Sequence, residues 1–371
     1  MRLSLTQTIC AIITNKYPKP SKNKHCVNPL VAVYLMQDSY NYYEKKEDDQ
    51  MKFNIGVEIG ATLIQAVVVD KFGRLVARTK MPAHLDRPLP EIIESTAELI
   101  NQLLEKNDLD IKSARSIGVA SPGAPDPEGT MIMRSYVTGF HDAHIKEEFG
   151  KYFKQRVYVE NDAHCAALAE SVAGAAEDLD YSITINIGTG ISGGIIINNK
   201  IYAGFNGGGA ILSHTVIDKH GKKCYCGRSG CFETVCSAKA LINQTRELAE
   251  QDKDSKIWEV CDGDLAKINE LTAYVAMVKG DLGAKQIFDE YVDNLSVAII
   301  NFTNLFMPEV IVLCGGITDL GEKLLQPVRK RMAEEVFSRD SALPMLKLSE
   351  MGSASVLVGA AMLGDYWHEL P

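Results

Sequence analysis

Four side chains that commonly bind metal ions lie close together in GGAILSHTVIDKHGKKCYCGRSGCFE, residues 208–233. They are His214, Cys224, Cys226 and Cys231, and His220 is a competing histidine. Imidazole and thiolate ligands in a set of four are what tetrahedral zinc takes, and a set with no open position is typical of structural zinc. The segment is too polar and glycine-rich for a buried strand, and a nucleic-acid-binding knuckle would have another spacing with aromatic and basic neighbours. We predict a structural Zn²⁺ site.

A carboxylate lies at a predicted junction of strand and helix in VYVENDAHCAALAE, which contains Asn161 and Asp162. An aspartate at this place commonly caps the helix by accepting hydrogen bonds from its first backbone N–H groups. The alternative is a general base that removes a proton from a substrate hydroxyl. The residues by themselves leave both roles open.

Three glycine-rich turns follow predicted strands, in GVEIGAT (56–62), NIGTGISGG (186–194) and VLCGGITDLG (312–321). Such turns expose backbone N–H groups that bind phosphate oxygens, and glycine removes the side chain that would block close approach. A single turn of this kind is usually a simple hairpin. Three in one chain favour a nucleotide site, although none has the P-loop pattern or the dinucleotide-binding pattern.

The pattern of strands and helices repeats once along the chain. A sequence of three strands, a helix and a strand begins near Phe53 and again near Ser182, and each occurrence opens with a glycine-bearing turn. LPEIIESTAELINQLLEKN has the apolar spacing of an amphipathic helix. The simplest architecture is two similar α/β halves with a cleft between them.

Composition narrows the class of protein. The chain has 371 residues with 46% hydrophobic residues, enough for two domains of ordinary size. Its net charge of −9 argues against a nucleic-acid partner. The cysteines outside the cluster are scattered, which predicts reduced, buried thiols and a cytoplasmic protein. No segment predicts a membrane span, and residues 1–50 are predicted to be a disordered extension or an upstream start before Met51.

These motifs together resemble the ROK family of sugar kinases and sugar-responsive repressors. The resemblance runs in family order through EIGAT, GVASPGAPDPEGT, YVENDAHCAALAE, NIGTGISGGIIINNKIYAG, His214 with CYCGRSGCFE, PEVIVLCGGI and GSASVLVGAAML. It implies an α/β protein with the actin-like ATPase (ribonuclease H-like) fold, two α/β domains and an interdomain cleft. The implied domains are residues 51–165 plus 355–371 and, with the zinc loop, residues 166–354.

The resemblance also implies roles for individual residues. Asp162 would be the catalytic base that deprotonates a sugar hydroxyl for attack on the γ-phosphate of ATP, with Mg²⁺ as the cation. The implied substrate-binding residues are Gly123, Asn161, His214 and Glu233, and the metal ligands are His214, Cys224, Cys226 and Cys231. The implied nucleotide-binding residues are Gly60, Thr62, Gly188, Thr189, Gly190, Gly315 and Gly316.

Four positions depart from the family pattern. The first turn has Glu58 and Ala61 where the family has aspartate and glycine. Tyr136 stands where the family has a sugar-binding asparagine, and Ile211 replaces a glutamate that binds sugar hydroxyls. An isoleucine cannot accept a hydrogen bond from a hydroxyl.

Three functions follow from the resemblance. The first is an ATP-dependent hexose kinase of the glucokinase type, supported by the retained Asn161, Asp162, Glu233 and zinc motif. The second is a protein that binds sugar without efficient phosphoryl transfer, which the four departures favour. The third is a sugar-responsive transcriptional repressor, for which residues 1–50 are too short to supply a winged helix-turn-helix. A homodimer is expected for any of them.

Overall fold

The computed structural model describes residues 52–369. The predictions about residues 1–50 therefore lie outside the described residues. No helix in residues 52–369 has both the length and the apolar composition needed to cross a bilayer.

The first sheet has five strands in the order β3-β2-β1-β4-β8. Its strands are β1 (Phe53–Ile59), β2 (Leu63–Val69), β3 (Leu75–Pro82), β4 (Ala114–Ser121) and β8 (Arg156–Asn161). β1 pairs antiparallel with β2 and parallel with β4, and β4 pairs parallel with β8. Because β1, β4 and β8 are parallel, their carboxyl ends lie at one edge of the sheet. The first glycine turn and the Asn161–Asp162 pair follow β1 and β8 at that edge.

The second sheet repeats this arrangement in the order β11-β10-β9-β12-β13. Its strands are β9 (Tyr181–Ile187), β10 (Ile191–Ile197), β11 (Lys200–Ile201), β12 (Val310–Cys314) and β13 (Met345–Leu348). β9 pairs antiparallel with β10 and parallel with β12, as β1 does with β2 and β4. The predicted repeat of strand order is therefore confirmed.

A small antiparallel sheet lies between β4 and β8 in the chain. It contains β5 (Ala124–Pro125), β6 (Ile132–Arg134) and β7 (His141–Ala143). The loop between β6 and β7 carries Tyr136.

The helices follow the apolar periodicity of the sequence. They are α1 (Leu89–Lys106), α2 (Ile145–Phe149), α3 (Asp162–Ala173), α4 (Phe232–Cys236), α5 (Ala238–Gln251), α6 (Ile257–Val260), α7 (Thr272–Val278), α8 (Leu282–Phe306), α9 (Glu322–Glu335) and α10 (Ser355–Glu369). The apolar face predicted for α1 is buried, with Ile92 and Ile100 fully inaccessible. This helix covers one face of the first sheet through its contacts with β2 and β3.

The scattered cysteines of the described residues are free thiols inside the protein. Cys165, Cys236, Cys261 and Cys314 are all buried and unpaired by disulfides. Burial in apolar surroundings raises the pKa of Cys165 and Cys236 well above the usual value. These thiols behave as small apolar side chains, as predicted.

Helix α3 is packed closely on two sides. A Cβ atom built on Gly359 of α10 would lie 1.7 Å from the Cys165 carbonyl oxygen of α3. On the side of the second sheet, a Cβ on Gly194 of β10 would lie 2.7 Å from the Ala163 carbonyl oxygen. Only glycine permits these approaches, so α3 joins α10 and the second sheet by backbone contact. The predicted domain boundary at residue 165 lies inside α3, and the domain division stays a prediction.

Replacing Gly359 by alanine should destabilise the protein, because the added methyl group would clash with rigid backbone of α3. We expect a loss of about 2–3 kcal/mol in the free energy of unfolding, measured by urea denaturation. Gly208→Ala is the control, since its added Cβ would meet only the flexible side chain of Asn206 at 3.4 Å. Equal stabilities of the two variants would contradict the close packing of α3 against α10.

Candidate functional site

The first glycine turn lies at the end of β1 and continues directly into β2. The Gly60 N–H donates to the Leu63 carbonyl at 3.0 Å, which closes the turn and leaves Ala61 and Thr62 exposed. The Glu58 carboxylate lies beside Gly60 and accepts a hydrogen bond from Gln65 Nε2 at 3.0 Å. Burial, and then the negative charge of Asp162, raise the pKa of Glu58. The turn and the predicted catalytic base are thus electrostatically coupled.

Asn161 and Asp162 occupy the junction of β8 and α3. The structure makes Asn161 the helix cap, because its Oδ1 accepts from the Ala163 and His164 N–H groups. The Asn161 side-chain amide donates to the Gly123 carbonyl at 2.8 Å. Asp162 is the first residue of the helix, where its Oδ1 accepts only from the adjoining Ala163 N–H. Its carboxylate therefore keeps capacity to accept a further proton or hydrogen bond.

Burial raises the pKa of Asp162 above its usual value. Hydrogen bonding to the Ala163 N–H and the charge of His164 oppose this shift. A raised pKa brings a carboxylate closer to the working range of a general base. The ionised form is needed for that role, so activity through Asp162 would fall as the pH drops through its pKa.

The second glycine turn is held by Glu233, the first acidic residue of α4. Gly188 N–H donates to the Gly190 carbonyl at 2.9 Å, and the Ile191 N–H donates to Glu233 Oε2 at 3.0 Å. A Cβ on Gly190 would lie 2.6 Å from that same carboxylate oxygen. By contrast, a Cβ on Gly188 would have no neighbour closer than 3.9 Å. The turn thus leaves open space at Gly188 and exposes Thr189.

The third glycine turn contacts the second. Gly315 has a φ of 107°, and a Cβ there would lie 2.0 Å from the Ile187 carbonyl oxygen at the end of β9. A Cβ on Gly316 would lie 1.8 Å from Glu270 Oε1. Close approach to rigid backbone, with a positive φ, therefore requires glycine at 315, whereas at 316 the flexible Glu270 side chain could move aside. The parallel pairing of β9 with β12 brings these two turns to one edge of the second sheet.

The four predicted metal ligands come together. The ligand atoms of His214, Cys224, Cys226 and Cys231 all lie within 4.8 Å of one another. The Cys226 and Cys231 sulfurs are 3.6 Å apart, and the Cys224 sulfur is 3.5 Å from His214 Nδ1. Tetrahedral zinc with Zn–S bonds of about 2.3 Å needs sulfurs about 3.8 Å apart, so these donors fit that ion. His220 does not belong to the group.

A short hairpin forms this cluster. Lys223 pairs with Ser229, and Val216 pairs with Cys231, each in an antiparallel bridge. The next residue, Phe232, is fully buried and packs edge to face on Phe302 with ring centres 6.0 Å apart. This anchor fixes Cys231 on one side and Glu233 on the other. The cluster of His214 and the three cysteines is therefore connected to the second glycine turn through a short stretch of chain.

The second ring nitrogen of His214 has a partner that the sequence did not indicate. His214 Nε2 lies 3.1 Å from the Tyr225 hydroxyl, and the two rings meet edge to face with centres 5.1 Å apart. With Nδ1 directed at the sulfurs, Nε2 is the nitrogen available for a hydrogen bond. Tyr225 occupies that position in the present arrangement.

Two of the unusual residues are open to solvent. Tyr136 is 80% exposed and Ile211 is 51% exposed, although both are large and apolar. The Arg134 guanidinium lies over the Tyr136 ring at 5.0 Å. Neither residue contributes to the described apolar core clusters.

The predicted residues group into two sets. Glu58, Gly60 and Asp162 share the edge of the first sheet, with Asn161 tied to Gly123. Glu233 and the second and third turns share the edge of the second sheet. Sequence reasoning did not select Glu160, His164, Tyr225 or Glu270, which lie beside these groups. The Glu-x-x-x-His spacing across a strand–helix junction was the available signal for the first two.

Both sugar kinases and sugar-responsive regulators are similar to this chain in sequence. A glucokinase from Thermotoga maritima is 29% identical over 310 residues, covering 83% of this chain and 96% of that protein. The xylose repressor of Bacillus subtilis is 27% identical over 312 residues, covering 84% of this chain and 76% of the repressor. Sequence similarity alone therefore does not separate a sugar kinase from a sugar-responsive regulator.

Solved structures agree on the fold. A ROK family glucokinase from Streptomyces griseus, in complex with glucose and AMPPNP, has a TM-score of 0.70 and 28% identity. The match covers 84% of this chain and 98% of that one. A ROK hexokinase from Thermus thermophilus shares the fold with a TM-score of 0.68. The predicted α/β, actin-like ATPase fold is confirmed.

The family model for the ROK family matches residues 54–366, from the start of β1 to within α10. That range includes both sheets, the three glycine turns and the cysteine cluster. The chain belongs to the ROK family.

Proposed function

We propose that this protein is an ATP-dependent sugar kinase of the glucokinase type, with Asp162 as the general base. One observation supports this most directly: the Asp162 carboxylate, at the junction of β8 and α3, accepts from the adjoining Ala163 N–H and keeps capacity to take a proton. The matches to the glucokinases extend over nearly the whole length of those proteins, which is consistent with a kinase.

The proposed reaction needs few protein groups. Asp162 takes the proton of a sugar hydroxyl as the hydroxyl oxygen bonds to the γ-phosphorus of ATP, and the bond to the bridging oxygen breaks to release ADP. Backbone N–H groups of the three glycine turns would stabilise the phosphate oxygens. In the first two turns these donors would be N–H groups other than those of Gly60 and Gly188, which close the turns themselves. Mg²⁺ bound to the phosphates would neutralise part of their charge.

The sugar would lie beside Asn161, Gly123, His214 and Glu233. Asn161 is rigid because it caps α3 and binds the Gly123 carbonyl at once. Glu233 already accepts from the Ile191 N–H, so its other oxygen is the one left for a sugar hydroxyl. Zn²⁺ would be held by His214 and the three cysteines, where it would fix the hairpin that precedes Glu233.

A second candidate is sugar binding without efficient phosphoryl transfer, as in a regulator. The exposed Ile211 favours it, because a site without this carboxylate holds its sugar by fewer hydrogen bonds. The xylose repressor relatives are consistent with this reading.

Asp162→Asn should lower kcat with the preferred hexose by about 10³-fold, because loss of a general base typically costs 10²–10⁴-fold. A coupled ADP-release assay over a panel of hexoses measures this. Asp178→Asn, at an exposed position with a φ of 64°, is the matched control and should keep full activity. Wild-type turnover no higher than that of Asp162→Asn with every hexose would overturn the kinase proposal and leave sugar binding.

Removing the proposed zinc ion should unfold the hairpin of residues 214–231. Metal analysis should find roughly one zinc per chain in the wild type, and Cys226→Ser should lose it together with thermal stability. Cys261→Ser is the control, because a hydroxyl can keep the bond from Cys261 to the Trp258 carbonyl. If the wild-type protein contains no zinc and its melting temperature does not change when a chelator is added, this structural role is excluded.

Ile211→Glu should restore a sugar-binding carboxylate and lower KM for the hexose by about tenfold, the value of one charged hydrogen bond. Ile211→Gln has nearly the same size without the charge and should give a smaller gain. Steady-state kinetics with several hexoses provide the comparison. Unchanged KM and unchanged hexose preference in both variants would show that Ile211 does not face the sugar.

A further inference from the structure

Glu160 is a buried acid directly before the Asn161–Asp162 pair. It lies on β8 two residues after Tyr158, so both side chains lie on the same face of the first sheet. Tyr158 stacks on Trp367 of α10, which identifies this face as the apolar layer beneath α3 and α10. Glu160 is only 5% exposed there. A carboxylate in such a layer costs free energy unless it has a partner.

His164, one turn into α3, is that partner. Its Nδ1 lies 2.9 Å from Glu160 Oε1, and its side chain is only 2% exposed. The backbone of β10 closes over it, because a Cβ on Gly194 would lie 3.2 Å from the His164 Cα. Because both side chains are buried, we do not expect the pair to contact a substrate directly.

The pair also holds the backbone on both sides of Asp162. Glu160 Oε1 accepts a second hydrogen bond from the Asn161 N–H at 2.8 Å. The His164 N–H donates to Asn161 Oδ1 at 3.2 Å. These contacts form a closed ring of hydrogen bonds through residues 160, 161 and 164. Asp162 lies in the chain between Asn161 and His164, within the segment that this ring holds.

We propose that Glu160 and His164 are positioning residues for Asp162: they fix the direction of its carboxylate and keep an imidazole beside it. This inference rests on the proposed function, because it assumes that Asp162 is the general base. A buried pair of this kind is expensive to break, since loss of one partner leaves the other buried and unpaired.

The electrostatic surroundings of Asp162 fit this role. Glu58 faces it from β1, and Glu160 lies behind it on β8. From α10, Tyr366 lies within the electrostatic range of Glu160, and β10 presents no titratable side chain along Ile191–Ile197. Burial raises the pKa of Asp162, and the charge of His164 opposes that rise. Without that charge, Asp162 would be protonated at a higher pH.

Two substitutions at His164 separate the two parts of the proposal. Asparagine keeps an N–H donor near the position of Nδ1 but carries no charge, whereas leucine removes both. We expect His164→Asn to keep kcat within a few-fold at high pH and to move the acid limb of kcat/KM upward by roughly half a pH unit. We expect His164→Leu to lower kcat by about 10²-fold with KM for ATP unchanged, because Asp162 loses its orientation.

The decisive measurement does not depend on turnover. NMR titration of aspartate-¹³C-labelled protein, with the Asp162 signal assigned through Asp162→Asn, reports its pKa in wild type and in His164→Asn. A higher pKa in the variant supports the inference, and an unchanged pKa overturns it even if His164→Leu fails to fold. If instead the proposed function is wrong, the wild-type protein will phosphorylate no hexose, which is a different result from an unchanged pKa.

Discussion

The close packing of α3 is the constraint on which the proposed site depends. Its first turn carries Asp162, one side approaches Gly359 of α10, and another approaches Gly194 of β10. Backbone contacts of this kind leave no room for small adjustments, because carbonyl oxygens and Cα atoms cannot move away as a long side chain can. A residue at the start of α3 is therefore held at a defined place relative to both sheets.

The two sheets bring different groups to corresponding edges. Each ends its first strand in a glycine turn, and each brings one acidic residue to that turn: Glu58 in the first sheet and Glu233 in the second. The acids differ in what they do. Glu58 shares an electrostatic environment with Asp162, whereas Glu233 receives a backbone hydrogen bond that fixes the Gly190–Ile191 peptide. The same strand order thus gives two edges whose acidic residues make different contacts.

The cluster of His214 and the three cysteines is linked to the glycine turn of the second sheet. Because Phe232 is buried between Cys231 and Glu233, the hairpin and the second glycine turn form one mechanical unit. In the hairpin, Tyr225 lies against His214 Nε2, and Ile211, three residues before His214, is exposed. Exposed side chains on a fold shared by a family are where specificity is expected to change.

Much about this protein was determined by sequence alone. Periodicity and glycine placement indicated the repeated strand order, the α1 helix and all three turns, because these features depend on local backbone preferences and on which face is apolar. The spacing of His214 and the cysteines indicated the cluster for a similar reason, since few other arrangements use four such ligands. Only the tertiary structure decided that Asn161, not Asp162, caps α3, and that Glu160 and His164 pair beneath them. It also decided that His220 stands outside the cluster and that Tyr225 contacts His214. The cap and the Glu160–His164 pair are local contacts, but they depend on the exact residue at which β8 ends and α3 begins, which apolar periodicity does not fix. The places of His220 and Tyr225 depend on how the hairpin folds around the cluster.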